Sequence, residues 1–327
     1  MSTAAPDCQL CGATQNTPCL SWGPQQIVRC AGCGLLTTLP YLSSEQLSGL
    51  YEQGYYSQEK AQRFRIGLAE TVIRFFRYQR ARKIHWTIRK RKLGPRILDI
   101  GCGKGYMLGR LQQLGYEAYG TQVSSSAMQF SKEKLGLNRI FHGDLGEAKY
   151  TDQFFDFISI YHVLEHLADP AQQLREVHRI LKSGGLLYVE VPNAGSLSAR
   201  WLKNHWLAYD LPRHRFHFTP KTLETLTKKC GFQRVRSEFF SLEYSPMTLL
   251  FSVVSAIFRD QNGLFRCLAS DSNESPMERR PVSTVKLALE LTAALMLAYP
   301  ILFLSLLLAL FRTGDTMAFY FKKEAAA

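Results

Sequence analysis

The chain has 327 residues, of which 46% are hydrophobic and 20% are charged, and its formal net charge is +13. This length is enough for a full α/β core with a smaller module besides. The N-terminus shows no secretory signal, so the eight cysteines are expected to be metal ligands or buried thiols, which argues against a secreted, disulfide-linked protein.

Two cysteine pairs lie near the start of the chain. Cys8 and Cys11 form one Cys-x2-Cys pair, Cys30 and Cys33 form the other, and a glycine follows each pair. Two turns with this spacing are typical of a zinc ribbon, in which four thiolates hold one ion tetrahedrally. We expect a closed, structural zinc site within residues 1–45, with unpaired thiols or a redox pair as the alternatives.

A tyrosine-rich segment and then a basic, aromatic stretch follow, and we interpret residues 46–95 as a linker region that is largely helical. From Arg63 to Lys92 there are eleven Lys or Arg residues and one acid, Glu70, so most of the net charge lies here. Aromatic side chains alternate with these cations. The composition suits an anionic membrane surface or the phosphates of nucleic acid, and a solvated helix face is a third interpretation.

An alternation of strand-like and helix-like segments begins at Arg96 and predicts a core domain over residues 96–242. The candidate strands lie at 96–100, 117–121, 139–142, 155–160, 185–191 and 232–240. Such alternation predicts a doubly wound, mostly parallel sheet. The first strand leads into the glycine turn of ILDIGCGKG, where bare backbone and the N–H groups of a helix start could meet a ligand.

Two apolar runs near the C-terminus interrupt this pattern. The longer run, 291–311, is uncharged and mostly apolar, and it is long enough to cross a bilayer. The shorter run, 246–258, is too short to span one. Residues 316–323 follow both runs and have the pattern of a strand. If residues 291–311 crossed the membrane once, this strand would lie on the opposite side from the preceding domain.

The residues around the longer run favour a return to the starting side. Pro300 lies near its middle, where proline can kink or break a helix. Basic residues flank the region on both sides, so the positive-inside tendency would keep both ends cytoplasmic. We therefore expect residues 243–312 to be a membrane-associating insertion that dips into one leaflet and returns, with the final strand and tail at 313–327. A buried pair of apolar helices, within the domain or at a dimer interface, is the alternative.

Several motifs in combination resemble the class I S-adenosylmethionine-dependent methyltransferases, and among them those with an N-terminal four-cysteine zinc ribbon. The motifs are the two CxxC pairs, CGLLTTLP, LDIGCGKG, FDFISIYHVLEHLADP and ILKSGGLLYVEVPN. The resemblance covers nearly the whole chain. It implies a Rossmann-like, mostly parallel seven-stranded sheet whose last strand is antiparallel, with S-adenosylmethionine as the cofactor.

The resemblance also implies which residues bind the cofactor. Asp99, Gly101, Gly103 and Gly105 correspond to the turn that holds its methionine part. The position of the acid that binds the ribose hydroxyls is occupied by Gln122, which is expected to weaken binding by about one hydrogen bond, roughly 1 kcal/mol. Asp144 with Leu145, after the third strand, corresponds to the residues beside the adenine.

Histidines supply the candidate catalytic groups. His162 and His166 flank Glu165 after the fourth strand, at a spacing that would place all three on one helix face, and LPRHRFHF adds His214 and His217. An oxygen or carbon acceptor must lose a proton, so His162, His166 or His214 could act as a base. The alternative is that Glu165 and His166 only stabilise the local fold.

A metal is a further alternative for this cluster. Some ubiquinone-pathway and small-RNA methyltransferases bind a divalent metal through a Glu-x-x-Glu-His motif and a later histidine. In this chain the first Glu of that motif is His162.

We interpret the chain as a methyltransferase at the cytoplasmic face of a membrane. Its acceptor is expected to be lipid-linked, such as a polyprenyl-linked sugar, a glycolipid or a quinone-like molecule. One alternative is a catalytically degenerate, cofactor-binding scaffold at the membrane, which Gln122 motivates. Another is a nucleic-acid or protein methyltransferase whose basic segment holds the target.

Overall fold

The computed structural model describes residues 7–41, 67–260, 263–268 and 283–324. The tyrosine-rich segment predicted to begin the linker lies outside these ranges, as do Arg63 and Phe64. Within them the chain forms two sheets, nine α-helices and three short 3-10 turns.

The central sheet has seven strands. In chain order they are β4 (Arg96–Ile100), β5 (Glu117–Gln122), β6 (Ile140–His142), β7 (Phe155–Tyr161), β8 (Leu181–Pro192), β10 (Phe232–Glu238) and β11 (Thr316–Lys323). Their spatial order is β10-β11-β8-β7-β4-β5-β6. The adjacent strands β8, β7, β4, β5 and β6 pair in parallel. β11 lies between β8 and β10 and is antiparallel to both. The predicted doubly wound sheet with an antiparallel final strand is confirmed.

Helices cover the sheet or extend from it. They are α1 (Gly67–Arg91), α2 (Tyr106–Gln113), α3 (Ser125–Leu135), α4 (Pro170–Ile180), α5 (Leu197–Leu202), α6 (Pro220–Lys229), α7 (Ser245–Phe258), α8 (Gly263–Leu268) and α9 (Thr284–Leu310). Local sequence explains the helix starts well. For example, the Asp169 side chain caps α4 by accepting from the Gln172 N–H, and Pro170 occupies the first turn.

The strand order reverses beside β4, which pairs with β5 on one side and with β7 on the other. β4 is buried from Ile97 to Ile100, and every residue of β7 is buried. In open α/β sheets, ligands bind at the carboxyl ends of strands where the order reverses. The glycine turn that follows β4 lies at this point.

The smaller sheet contains β1 (Asn16–Trp22), β2 (Gln25–Cys30), β3 (Leu36–Leu39) and β9 (Phe216–His217). The first three strands belong to the predicted ribbon, whereas β9 comes from the loop region after β8. The antiparallel pairing of β3 with β9 therefore attaches the ribbon to the larger domain.

The basic segment forms α1, and its inner face packs on the central sheet. Ala81, Ile84 and Ile88 are buried there. Arg80, on the same helix, is also buried and makes an ion pair with Glu243 at 2.7 Å. Other α1 cations, Arg77 and Lys83, form ion pairs with Glu243 and Glu238 respectively. These three cations are therefore engaged by carboxylates within the protein.

The apolar insertion is a helix pair. α7 contacts α9, and Pro300 lies inside α9, which continues past it to Leu310, so this proline does not break the helix. Among the described residues α9 is the one helix that is long and apolar enough to span a membrane. One of its ends contacts the end of α7, and the other leads into the central sheet. Lys286 pairs with Asp260 at 3.3 Å, and β11 follows its other end into the central sheet.

Candidate active site

A cavity of about 510 Å³ opens at the carboxyl ends of β4, β5 and β7. Its lining brings together most of the residues that the sequence singled out, listed here as Asp99, Gly101, Gly103, Gln122, Asp144, Leu145, His162, His166 and His214. Gly105 does not line it and instead precedes α2, with a left-handed φ of 76°. One cavity therefore contains both the predicted cofactor residues and the predicted catalytic histidines.

The glycine turn after β4 requires glycine for conformation and for space. Gly101 has φ 69°, and a Cβ added there would lie 2.5 Å from Cγ2 of Val163. The backbone consequently passes close to the cavity without a side chain in the way. Asp99, at the start of this turn, is buried and accepts a hydrogen bond of 2.7 Å from the Ser159 hydroxyl. Burial raises the pKa of Asp99 to about 6, against the opposing effects of Ser159 and the nearby arginines.

Gln122 ends β5 and is buried at the cavity wall. Its Oε1 accepts a hydrogen bond of 3.0 Å from the Ser124 N–H. One of the two acceptor sites on the amide oxygen is thus engaged by the backbone, and the NH₂ group can only donate, whereas a carboxylate would present a second acceptor oxygen. A carboxylate at this position could accept from Ser124 and from a ligand hydroxyl simultaneously.

Asp144 and Leu145 form a turn after β6. The Asp144 carboxylate accepts from the Glu147 N–H at 3.0 Å, and the Asp144 N–H donates to the Glu147 carboxylate at 3.0 Å. This reciprocal pair fixes the turn, while Leu145 is fully buried beneath it. The turn supplies an apolar floor and a polar edge to the cavity.

His162 lies between two buried carboxylates. Its Nδ1 is 3.4 Å from Glu165, its Nε2 is 3.3 Å from Glu190, and its ring centroid is 3.9 Å from that of Tyr244. Burial alone would lower the pKa of His162, but the two carboxylates outweigh it and raise the pKa to about 10. His162 is therefore an imidazolium at neutral pH, which makes it an ion-pair partner and a poor proton acceptor.

His166 and His214 lie together on the other side of Glu165, with ring centroids 4.6 Å apart. Nδ1 of His166 is 3.0 Å from the Arg213 carbonyl, and Nδ1 of His214 is 2.8 Å from the Ala208 carbonyl. A carbonyl only accepts, so each Nδ1 carries a proton. Burial and the neighbouring His214 lower the pKa of His166 to about 4, so its ring is neutral at pH 7 with the lone pair on Nε2.

Glu165, His166 and His214 offer ligand atoms that lie within 4.8 Å of one another. Both carboxylate oxygens of Glu165 are buried without a hydrogen-bond partner. A cation could occupy such a group of atoms, but His162 stands where the metal-binding motif has its first acid. Its positive charge already compensates Glu165 at 3.4 Å, so these residues do not fit a divalent metal well.

Among the cavity residues that were not predicted from the sequence, Arg80, Tyr161 and Tyr244 form a network with His162. Arg80 of α1 stacks on the rings of Tyr161 and Tyr244, and it shares Glu190 with His162. Burial would raise the pKa of Tyr244, yet Arg77, Arg80 and His162 together lower it to about 8. The charged Glu190 inside the apolar strand LLYVEVP was the one sequence signal for this network, because a buried acid needs a partner.

The four ribbon cysteines lie close enough to hold one ion. Cys8 Sγ is 3.5 Å from Cys33 Sγ, and Cys11 Sγ is 3.5 Å from Cys30 Sγ, with all four sulfurs within 4.8 Å of one another. Such spacing suits tetrahedral thiolate ligation of zinc, with Zn–S bonds of about 2.3 Å.

Comparisons with known proteins indicate the family of this chain. A family model described as a methyltransferase domain matches residues 62–237. A protein of Mycolicibacterium smegmatis described as a probable S-adenosylmethionine-dependent methyltransferase is 27% identical over 170 residues, which are 51% of this chain and 62% of that protein. A ubiquinone biosynthesis O-methyltransferase of Cereibacter sphaeroides is 30% identical over 153 residues, covering 43% of this chain and 62% of that enzyme. The chain thus spans about three fifths of the length of these two relatives.

Among solved structures, a SAM-dependent methyltransferase from Archaeoglobus fulgidus superposes with a TM-score of 0.46. It is 21% identical in sequence, and the superposition covers 76% of this chain and 94% of that one.

Proposed function

The chain belongs to the methyltransferase-domain family, and we propose that it transfers a methyl group from S-adenosylmethionine to an acceptor held at a membrane surface. The observation that carries this proposal is the single cavity in which the glycine turn after β4 faces His166 and His214. The cofactor supplies an electrophilic methyl group when bound. The chain's own residues must then align the acceptor and, for an oxygen or carbon acceptor, remove its proton.

The cofactor half of the cavity is the end of β4 and β5 with the turn at Asp144. The bare backbone at Gly101 lets a ligand approach, and the N–H groups at the start of α2 favour its carboxylate. Gln122 and Asp144 offer polar atoms to the ribose and adenine ends. We assign Asp99 to fixing the turn, because its carboxylate is already held by Ser159.

On the acceptor half, His166 and His214 suit proton removal better than His162. His166 is neutral because burial lowers its pKa, so its Nε2 can accept a proton, although the same low pKa makes it a weak base. His162 is charged and held between Glu165 and Glu190. Its role in this proposal is to orient Glu165, which faces the other two imidazoles.

The packing of α9 supports a lipid surface as the partner. The buried residues of α9 are Glu290, Ile301 and Ser305, two of which are polar. The opposite face of α9 exposes large apolar side chains, listed as Leu295, Met296, Tyr299, Phe303, Leu306 and Leu310. Polar side chains between helices and apolar ones outside are the pattern of helices that pack in lipid.

The orientation of α9 argues for lying along the membrane surface and against crossing it. Both ends of the helix are tied to the core: Lys286 pairs with Asp260 at the end of α7, whose carbonyl lies 2.8 Å from Nδ1 of His205, and β11 follows the other end into the central sheet. Trp201, which is 75% exposed on α5, and the exposed Lys203 lie next to His205. An aromatic side chain beside cations suits the headgroup region of an anionic bilayer.

A methyl-transfer assay tests the proposal. The detergent-purified protein is incubated with methyl-labelled S-adenosylmethionine and a bacterial lipid extract, and label is counted in the organic phase. Label in the organic phase supports a lipid-linked acceptor if Asp99→Ala and His214→Gln lose it. The exposed His142→Gln should keep it. Label that enters only added RNA or protein would favour the nucleic-acid or protein methyltransferase, and transfer to no acceptor would favour the scaffold.

A further inference from the structure

The zinc ribbon packs directly behind the acceptor half of the cavity. Trp22 Nε1 donates to the Asn204 carbonyl at 3.3 Å, and Asn204 Nδ2 donates to the Ser21 carbonyl at 3.3 Å. The rings of Trp22 and Tyr209 lie 5.5 Å apart. The segment contacted in this way, residues 203–218, also supplies Leu207, Ala208, Asp210, Arg213 and His214 to the cavity.

The backbone of the ribbon continues this contact as a sheet. Thr37 of β3 pairs with Phe216 of β9, and the Thr38 N–H donates to the Arg215 carbonyl at 3.0 Å. The last ribbon strand therefore lies alongside the residues that directly follow His214. A displacement of β3 would be transmitted to His214 through these backbone bonds.

One ribbon side chain contacts two of the histidines of LPRHRFHF. The Thr38 hydroxyl donates to the His214 carbonyl at 2.7 Å and lies 2.9 Å from Nε2 of His217. A threonine hydroxyl has one proton, so the bond to His217 must use the N–H of that ring as the donor. Thr38 and His217 are both buried, and an unpaired polar atom there would be costly. Thr38 thus fixes both the carbonyl of His214 and the tautomer of His217.

We propose that Thr38 is a positioning residue for the acceptor half of the cavity, through which the zinc ribbon holds His214 in place. The inference rests on the proposed function for the role of His214, although the mechanical link is independent of it. The ribbon would then do more than stabilise the fold, because the state of its metal site would set the order of residues 207–218. The cofactor half, built on the ends of β4 and β5, would be unaffected.

The test compares Thr38→Val, which removes the hydroxyl at equal volume, with Thr38→Ser, which keeps it. Thr37→Val is the matched control, since adjacent residues of a strand point to opposite faces. Hydrogen–deuterium exchange is followed by mass spectrometry in peptides from residues 207–218, and the His217 tautomer is read by ¹⁵N NMR of histidine-labelled protein. Titration with S-adenosylmethionine monitors the cofactor half separately.

We expect exchange in residues 207–218 to rise about fivefold or more in Thr38→Val, because both buried hydrogen bonds of the hydroxyl are lost. We also expect the Nε2–H signal of His217 to weaken, with Thr38→Ser and Thr37→Val behaving like the wild type. Unchanged exchange and an unchanged tautomer in Thr38→Val would overturn the proposal. Should that variant not fold, zinc removal from the wild-type chain gives the same readout, and equal protection of residues 207–218 before and after removal would be the contradicting result.

A wild type that binds no S-adenosylmethionine would refute the proposed function and leave the exchange and tautomer results interpretable. The proposed function and the positioning role of Thr38 would therefore be refuted by different measurements.

Discussion

Nε2 of His162 lies 3.3 Å from Oε1 of Glu190, a contact between the loop after β7 and the buried strand β8. Glu190 also lies 3.9 Å from Arg80, so two cations share one carboxylate that is almost inaccessible to water. Removing one partner of a buried pair is strongly destabilising. The contact therefore holds His162 in place, at a φ of 50°, and keeps its ring charged.

A pH-dependent contribution to stability follows from this contact. The pKa of His162 is raised from 6.5 to about 10, so the stabilisation is complete below the unfolded-state pKa and is lost as the pH rises towards the folded-state value. The difference in free energy of unfolding between the wild type and His162→Asn should be roughly a few kcal/mol near pH 6 and should shrink towards pH 10. Urea unfolding across this range measures it. A difference that stays constant or grows with pH would contradict the assignment, and the exposed His142→Asn should show no such trend.

Gln122→Glu should tighten cofactor binding. The amide oxygen of Gln122 is engaged by Ser124, whereas a carboxylate could keep that bond and accept from a ribose hydroxyl as well. The gain is about one hydrogen bond, or about 1 kcal/mol, which corresponds to roughly a fivefold lower dissociation constant. Calorimetric titration measures it, with the exposed Gln112→Glu as control. An unchanged affinity would show that Gln122 does not face the ribose.

The ribbon should contain one zinc ion per chain. Cys11→Ser removes a predicted ligand and should reduce the zinc content measured by mass spectrometry, because three thiolates hold the ion less tightly. Cys19→Ser is the matched control, since Cys19 is an exposed cysteine of β1 and lies outside the four-sulfur cluster. Equal zinc loss in both variants, or a wild type without zinc, would refute the assignment of the ligands.

The exposed face of α9 should determine membrane binding. Replacing Leu295 and Phe303 with serine removes two large apolar side chains from this face, and sedimentation with vesicles containing phosphatidylglycerol should fall at least about tenfold. S-adenosylmethionine affinity should not change. The control is Val235→Ser on β10 at the sheet edge, and equal binding by the double variant would mean that α9 does not contact lipid.

The sequence predicted the sheet and the glycine turn after β4 because both depend on local patterns. The glycines at 101 and 103 are required by left-handed φ values of 69° and 57°, and β11 was recognisable from its composition. The Arg80–Glu190 contact was not predictable in the same way, because it joins α1 to β8 across a long stretch of chain. The continuity of α9 through Pro300 also depends on tertiary packing, since Ile301 and Ser305 in the following turns are buried.

The role of the basic segment shows the same limitation. Its charge count was correct, but composition does not reveal which cations face inward. Arg80 is buried against Glu243, and Trp86 on the same helix is exposed. Only the three-dimensional arrangement separates the two faces.

The most direct test of the central claim is a calorimetric titration of S-adenosylmethionine into the detergent-purified, zinc-loaded chain. We expect saturable binding at one site per chain with micromolar affinity. We also expect binding to be lost in Gly101→Val, because a side chain there would meet Val163 and occupy the turn. Absence of binding by a folded wild-type chain, or equal binding by Gly101→Val, would contradict the account.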